Sequence, residues 1–261
     1  MARFVPIGER IHCVSPEMRA AMASRDPGPI LRRAEEQLRA GAEVLDVNIG
    51  PASSDGEALM AWLVKLLQSR FDNVPLSLDT VNRRALEAGL RVYDRSKGKP
   101  IVNGADAGGR IDVIDLAADH DAVCIAMCAA DGMAEDNDAR MRHCETMLAR
   151  GLARGMDAED LWFDPQFIII KGMQERQMEV LEAIRLLTEA GLRTTCGLSN
   201  ASCGMPAAVR PVLDSAMLAM AMGMGLSSAI LNPCEKRVME TVKSCGIIRG
   251  ETLYADAYLE I

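Results

Sequence analysis

Eight times along this sequence a short apolar run rich in Val, Ile and Leu gives way to a longer stretch whose apolar residues recur at helical spacing. The runs begin at Val5, Glu43, Pro75, Pro100, Ala122, Leu161, Thr194 and Ser228. The stretches between them carry helical signals. Asp26-Pro27 offers an N-cap and a proline in the first turn, Ile30, Leu31, Ala34 and Leu38 share a face, and Gly41 closes that helix. Val180, Leu181, Ile184 and Leu187 form the cleanest face, with Gly191 just beyond it. One unit per about 33 residues is what an eightfold barrel of roughly 250 residues requires. The runs are near-continuous in apolar character, as parallel strands covered by helices should be. The expected fold is α/β, a single-domain (β/α)8 TIM barrel spanning residues 1–261. A doubly wound open sheet is the competing architecture, but no Gly-x-Gly-x-x-Gly follows the first strand.

Composition narrows the function. A net charge of −8 and 3% aromatic residues argue against nucleic acid as a partner, which would ask for a basic footprint or stacking platforms. No apolar run reaches the roughly 18 residues needed to cross a bilayer, and no secretory h-region is visible, so a cytoplasmic protein without a membrane partner is expected. The cysteines form no Cys-x-x-Cys, and the three histidines lack the spacing of a zinc helix, so we expect reduced thiols and no protein-bound metal.

The barrel rule places the last residues of every strand on one rim. That rim should hold Glu9, Asp46, Asn48, Asp79, Asn103, Asp164, Ser199, Asn200 and Asn232. The seventh unit concentrates them, as Thr194-Thr195-Cys196-Gly197-Leu198-Ser199-Asn200-Ala201-Ser202 runs from a β-branched pair into a polar loop. A strand-end Asp or a Ser/Asn turn can simply cap the next helix, and each residue alone could do so. Together, carboxylates that accept and amides that both donate and accept suit a flat, amide- and amine-rich ring such as a pterin.

Gly8-Glu9-Arg10-Ile11, Leu45-Asp46-Val47-Asn48-x-Gly50-Pro51, Leu78-Asp79-Thr80-x-Asn82, Asn103, Asp164-Pro165 and Gly197-Leu198-Ser199-Asn200-x-Ser202 follow one another in that order. In these motifs the chain resembles the methyltetrahydrofolate:corrinoid methyltransferases, from the first strand to the eighth. The resemblance implies a pterin-binding barrel in which Asp79, Asn103 and Asp164 hydrogen-bond the ring and Asn200 stands beside N5, where the methyl group leaves. Catalysis would rest on Asn200, Asp79 and Asp164, and substrate binding also on Glu9, Asp46, Asn48, Asn103, Gly197, Ser199, Ser202 and Arg210. Methyltetrahydrofolate or tetrahydrofolate would be the substrate. The chain shows no Asp-x-His-x-x-Gly anchor for cobalamin, so the resemblance implies a corrinoid protein as separate partner, and in this family homodimers are common. Cys203-Gly204 departs from the amide side chains of many relatives, and the segment up to Arg210-Pro211 is slightly longer, which bears on the folate tail.

Three other readings are weighed. A dihydropteroate synthase would share the pterin but should carry a Lys-x-x-Arg pair late in the chain, where Lys236-Arg237 are adjacent. A Schiff-base aldolase would need a lysine near a strand end, and Lys171 is the candidate. A folate-binding module without turnover is the third.

Overall fold

The computed structural model describes residues 3–51 and 54–260. Its strands are β1 (Val5–His12), β2 (Val44–Asn48), β3 (Leu76–Asp79), β4 (Ile101–Ala105), β5 (Val123–Met127), β6 (Leu161–Asp164), β7 (Arg193–Thr194) and β8 (Ser228–Leu231). The helices are α1 (Pro16–Ser24), α2 (Pro27–Arg39), α3 (Gly56–Arg70), α4 (Arg83–Arg91), α5 (Asp112–Asp119), α6 (Asn137–Ala153), α7 (Gln177–Glu189), α8 (Arg210–Gly223) and α9 (Lys236–Ile248). All strand pairs are parallel, in the order β7-β6-β5-β4-β3-β2-β1-β8. The seam between β7 and β8 is joined by the Gly197–Ile230 bridge and by the Ile230 N–H donating to Cys196 O at 2.8 Å. The sheet thus closes into the expected single barrel.

Two elements differ from the sequence reading. The seventh strand was expected to run on towards Gly197 but pairs regularly only over Arg193–Thr194. At the seam, side-chain hydroxyls replace ladder bonds: Thr194 N donates to Ser227 Oγ at 2.9 Å, and Ser227 and Ser228 Oγ donate back to Thr194 O. Freed from the ladder, the chain turns at Leu198–Asn200 into a short 3-10 turn. Helix α1, absent from that reading, begins at Ser15-Pro16, where Ser15 caps Met18 N and Pro16 needs no partner for a missing N–H. Where the reading gave Asp26 as N-cap of α2, the structure agrees, with Gly28 N donating to Asp26 Oδ1 at 2.9 Å.

Alternation along each strand sorts the two faces. Leu45, Val47, Leu76, Leu78, Val102, Cys124, Ala126, Leu161 and Phe163 pack outward beneath the helices. The inward residues change character with height: Val44, Ile101, Val123 and Trp162 form a dry floor with Ile7 and Ile125. Above them, at the C-terminal ends of the same strands, stand Asp46, Asn48, Asp79, Asn103 and Asp164. Carboxylates are thereby set on an apolar base.

Candidate functional site

The C-terminal mouth of the barrel opens into a cavity of about 770 Å³. Glu9, Asp46, Asn48, Asp79, Asn103, Asp164, Gly197, Ser199, Asn200 and Arg210 all line it, as does Asn232. Ser202 does not. It is wholly buried behind the wall, where its Oγ accepts from Arg210 Nε at 3.2 Å. Lys171 is exposed in the loop after β6 and takes no part in the lining.

Strand register explains why these side chains meet. Asn48, Asp79 and Asn103 are partners across β2, β3 and β4, and Asp46 is the partner of Ser77. The Asn48 amide donates to Asp79, and Ser77 Oγ donates to Asp46 Oδ1 at 2.7 Å, with the Asn103 amide also on Asp46. Asn48 Oδ1 in turn accepts Gly50 N at 2.9 Å. Asp164 Oδ1 accepts Gln166 N at 2.7 Å across a turn in which Gln166 adopts the left-handed region, φ 66°. Neither Asp79 nor Asp164 caps a helix: Asn82 caps α4, and the helix after β6 begins only at Gln177.

Two bulges aim side chains into the mouth. Between Gly8 and Ile11 the register of β1 on β2 shifts, so that Glu9 and Arg10 together face the single residue Asp46. Gln37 of α2 holds this bulge, its Oε1 accepting Arg10 N at 2.8 Å, and a Cβ at residue 8 would lie 2.6 Å from that same oxygen. The bulge turns Glu9 towards β7, where its Oε2 accepts from Ser199 Oγ at 2.9 Å. In β4 the extra residue is Gly104, at φ 102°, and the Arg110 guanidinium fills the space a side chain would take. Arg110 Nη2 also donates to Thr80 O at 3.0 Å, and Asp106 Oδ1 accepts its backbone N–H. At Gly197 a Cβ would come 2.8 Å from Asn200 Nδ2, so the glycine lets that amide fold back over its own turn.

Burial above an apolar floor raises the proton affinity of nearly every acid in the mouth. Desolvation pushes Asp164 up to about 6, against the Gln166 N–H. Desolvation likewise pushes Asp79 up to about 6, against the Asn48 amide and Arg110. Asp46 lies well above the usual carboxylate range, through burial and the neighbouring Asp79 charge. Burial raises Glu9 and Asp214 too. His12 is held below its usual value by burial and by Arg10 and Arg33. Burial pushes the Cys124 thiol up to about 12, and the Cys128 and Cys196 thiols are raised as well, so these three are no nucleophiles at neutral pH. Among the described residues no group of three or more His, Cys, Asp or Glu is placed to hold a metal, and no helix is long and apolar enough to cross a membrane.

The sequence reading missed His12, Arg110 and Asp214, which also line the cavity. Asp214 stands one helical turn after Arg210, a lone acid in a Met- and Ala-rich helix, and that i, i+4 spacing was a signal for a shared face. Arg110 follows Asp106-Ala107-Gly108-Gly109, a turn-forming run that could have marked a side chain folding back on the rim.

A parallel eightfold barrel whose mouth presents acids and amides to a cavity of this size offers the acceptors and donors that a flat, donor-rich heterocycle would require. The sequence pattern of the pterin binding enzymes matches residues 14–232, and the chain is a member of that family. It is 31% identical over 248 residues to the methionine synthase of Mycobacterium tuberculosis, covering 88% of this chain and 20% of that protein. This chain thus spans about a fifth of that relative's length. It is 24% identical to the methylcorrinoid:tetrahydrofolate methyltransferase of Eubacterium limosum, covering 94% of this chain and 90% of that one. Among solved structures it superposes on a dihydropteroate synthase of Coxiella burnetii at a TM-score of 0.72 and 16% identity, with 96% and 94% of the chains covered. A dihydropteroate synthase of Xanthomonas albilineans gives 0.70 and 18%, with 95% and 93% covered. These last likenesses are of fold.

Proposed function

We propose that this enzyme moves a methyl group between N5 of methyltetrahydrofolate and the cobalt of a corrinoid carried on a partner protein, in either direction. The observation that carries this reading is the convergence on one mouth of Asp79, Asn103 and Asp164 with the Asn200 amide on its turn after β7. Likeness over nearly the whole of both chains to the Eubacterium limosum methyltransferase supports it.

On this reading Asp79 and Asp164 accept from the ring's N–H groups and Asn103 completes the cradle. A tertiary amine is a poor leaving group until positive charge builds on its nitrogen. Asn200 does not titrate near neutral pH, but its amide can hold a proton on N5 and stabilise the charge that develops there. Arg210, anchored through Ser202, offers its remaining guanidinium N–H groups to the anionic tail of the folate. The same reading carries a homodimer in the cytoplasm, with the corrinoid protein docking over the mouth.

Binding of methyltetrahydrofolate by titration, followed by methyl transfer to Co(I) cobalamin watched by its absorbance, tests the proposal. Tight binding with loss of the Co(I) spectrum is the expected result. Binding without transfer would leave a folate-binding module, and condensation of a pterin diphosphate with 4-aminobenzoate would favour a dihydropteroate synthase.

A further inference from the structure

The carboxyls of the mouth fall into two groups by what already holds them. Asp46, Asp79 and Asp164 each receive donors that favour the ionised form: Ser77 and Asn103, Asn48, and the Gln166 N–H. Glu9, on the strand next to Asp46, and Asp214 of α8 stand by the β7 turn, with Ser199 and Arg210 among their neighbours. Glu9 receives the Ser199 hydroxyl, and Asp214 receives that of Ser202 while its Oδ1 is buried without a hydrogen-bond partner.

We propose that Glu9 is the proton donor to N5 of the bound folate, passing its proton through the Ser199 hydroxyl. This rests on the methyltransferase reading above. The bulge in β1 and the Gln37 strut exist to aim this one side chain away from the β2 ladder and at the β7 turn. The surrounding charges are consistent with a proton held there. Burial and Asp214 raise its affinity for the proton, whereas the Ser199 bond, Arg210 of α8 and Arg10 of its own strand lower it. Asp46 of β2 interacts repulsively with Glu9, and Glu235, before α9, acts the same way on Asp214.

In the folate-demethylating direction, the Ser199 hydroxyl, which donates to Glu9 Oε2 before the folate binds, turns to N5 and passes its proton there as it takes one from Glu9, making the methylated nitrogen a cation. The N5–methyl bond then breaks with its electron pair staying on nitrogen. The methyl carbon bonds to cobalt through the electron pair of Co(I), which becomes methyl-Co(III). Tetrahydrofolate leaves with N5–H, and the Glu9 carboxylate is reprotonated from solvent. In the other direction Glu9 takes the proton back.

The test compares wild type, Glu9→Gln and Ser199→Ala from about pH 5.5 to about pH 9, with methyltetrahydrofolate and Co(I) cobalamin. Calorimetry of methyltetrahydrofolate binding in buffers of different ionisation enthalpy counts the protons exchanged. Both variants should lose about 100-fold in methyl transfer and the alkaline fall of the pH–rate profile, while folate dissociation constants stay within about threefold. Glu9→Gln should also change the number of protons exchanged on binding. A wild-type rate, or a rate lowered evenly with the profile and proton count intact, would overturn the role. Should Glu9→Gln fail to fold, Ser199→Ala decides by the same profile. Failure of wild type to bind methyltetrahydrofolate would instead sink the methyltransferase reading itself.

Discussion

The two halves of the mouth are built by different means. From β2 to β6 the polar side chains stand at strand ends, with Asn48, Asp79 and Asn103 register partners across three strands, and each is held by a hydrogen bond before any ligand arrives, β4 carrying a bulge only beyond Asn103. From β7 round to β1 the side chains come from a bulge, a 3-10 turn and the first turns of α8, and an oxygen of Asp214 is left without a partner. A pinned array suits recognition of a rigid ring, since little entropy is lost in ordering it. Irregular backbone suits groups that adjust as charge develops. On the proposed reading binding falls to the first half and chemistry to the second, and variants in the two halves should separate Kd from kcat.

The largest effect is expected at Asn200. Asn200→Ala should lower methyl transfer by about two to three orders of magnitude, the loss of one preorganised donor, with folate binding nearly intact. Equal losses in kcat and affinity would erase the division. Next comes Asp164→Asn in the opposite half, which trades an acceptor for a mixed amide. It should weaken folate binding by about 10- to 100-fold, the worth of a charged hydrogen bond, and leave kcat at saturation within a few-fold.

Gly197→Ala sharpens the same division without removing a functional group. The new Cβ would lie 2.8 Å from Asn200 Nδ2 and meet only the end of a mobile side chain. Stability should hold while kcat falls by about 10-fold, because a displaced donor is worth less in the transition state. Smaller still is Gln37→Leu, which frees the Arg10 N–H and slackens the bulge. A loss of about 1–2 kcal/mol in denaturant unfolding is expected, with a rate loss of a few-fold and unchanged folate affinity.

How far the sequence disclosed all this differs between the same two halves. The β2–β6 residues were legible because a strand end is readable from an apolar run, and the barrel rule converts strand ends into neighbours. Glu9 was legible as a residue but its aim was not, because a bulge is a matter of pairing between β1 and β2. Gln37 does sit two helical turns from Ile30 on the buried face of α2, a polar residue where apolar ones belong, and that was its only local mark. The short β7 was misread because Thr194 and Ser227 exchange side-chain bonds that no propensity encodes. Ser202 was taken for a lining residue, since its placement behind Arg210 depends on how the loop folds back on α8.

The smallest expected effect concerns stability, and its sign distinguishes an acid held for binding from one held for the fold. Asp79 and Asp164 are pushed up to about 6, so between the ordinary carboxylate range and about pH 6 the folded chain binds more protons than the unfolded one. Stability therefore falls as pH rises through that window, and the cost of two buried charges is fully present above it. Glu179 is the opposite case. Arg176 and the buried Arg140 hold it down to about 2, so its contribution is present at neutral pH and fades as pH falls towards that value. Asp79→Asn should accordingly raise the unfolding midpoint at pH 7.5, by on the order of 1–2 kcal/mol after allowance for the open mouth, and do nothing near pH 4. Glu179→Gln should lower it at pH 7.5. With methyltetrahydrofolate present the gain in Asp79→Asn should vanish, because on the proposed reading the ring's N–H groups satisfy the wild-type carboxylate and leave the variant amide poorly matched. A stabilisation that persists with folate bound would mean that Asp79 does not touch the ring.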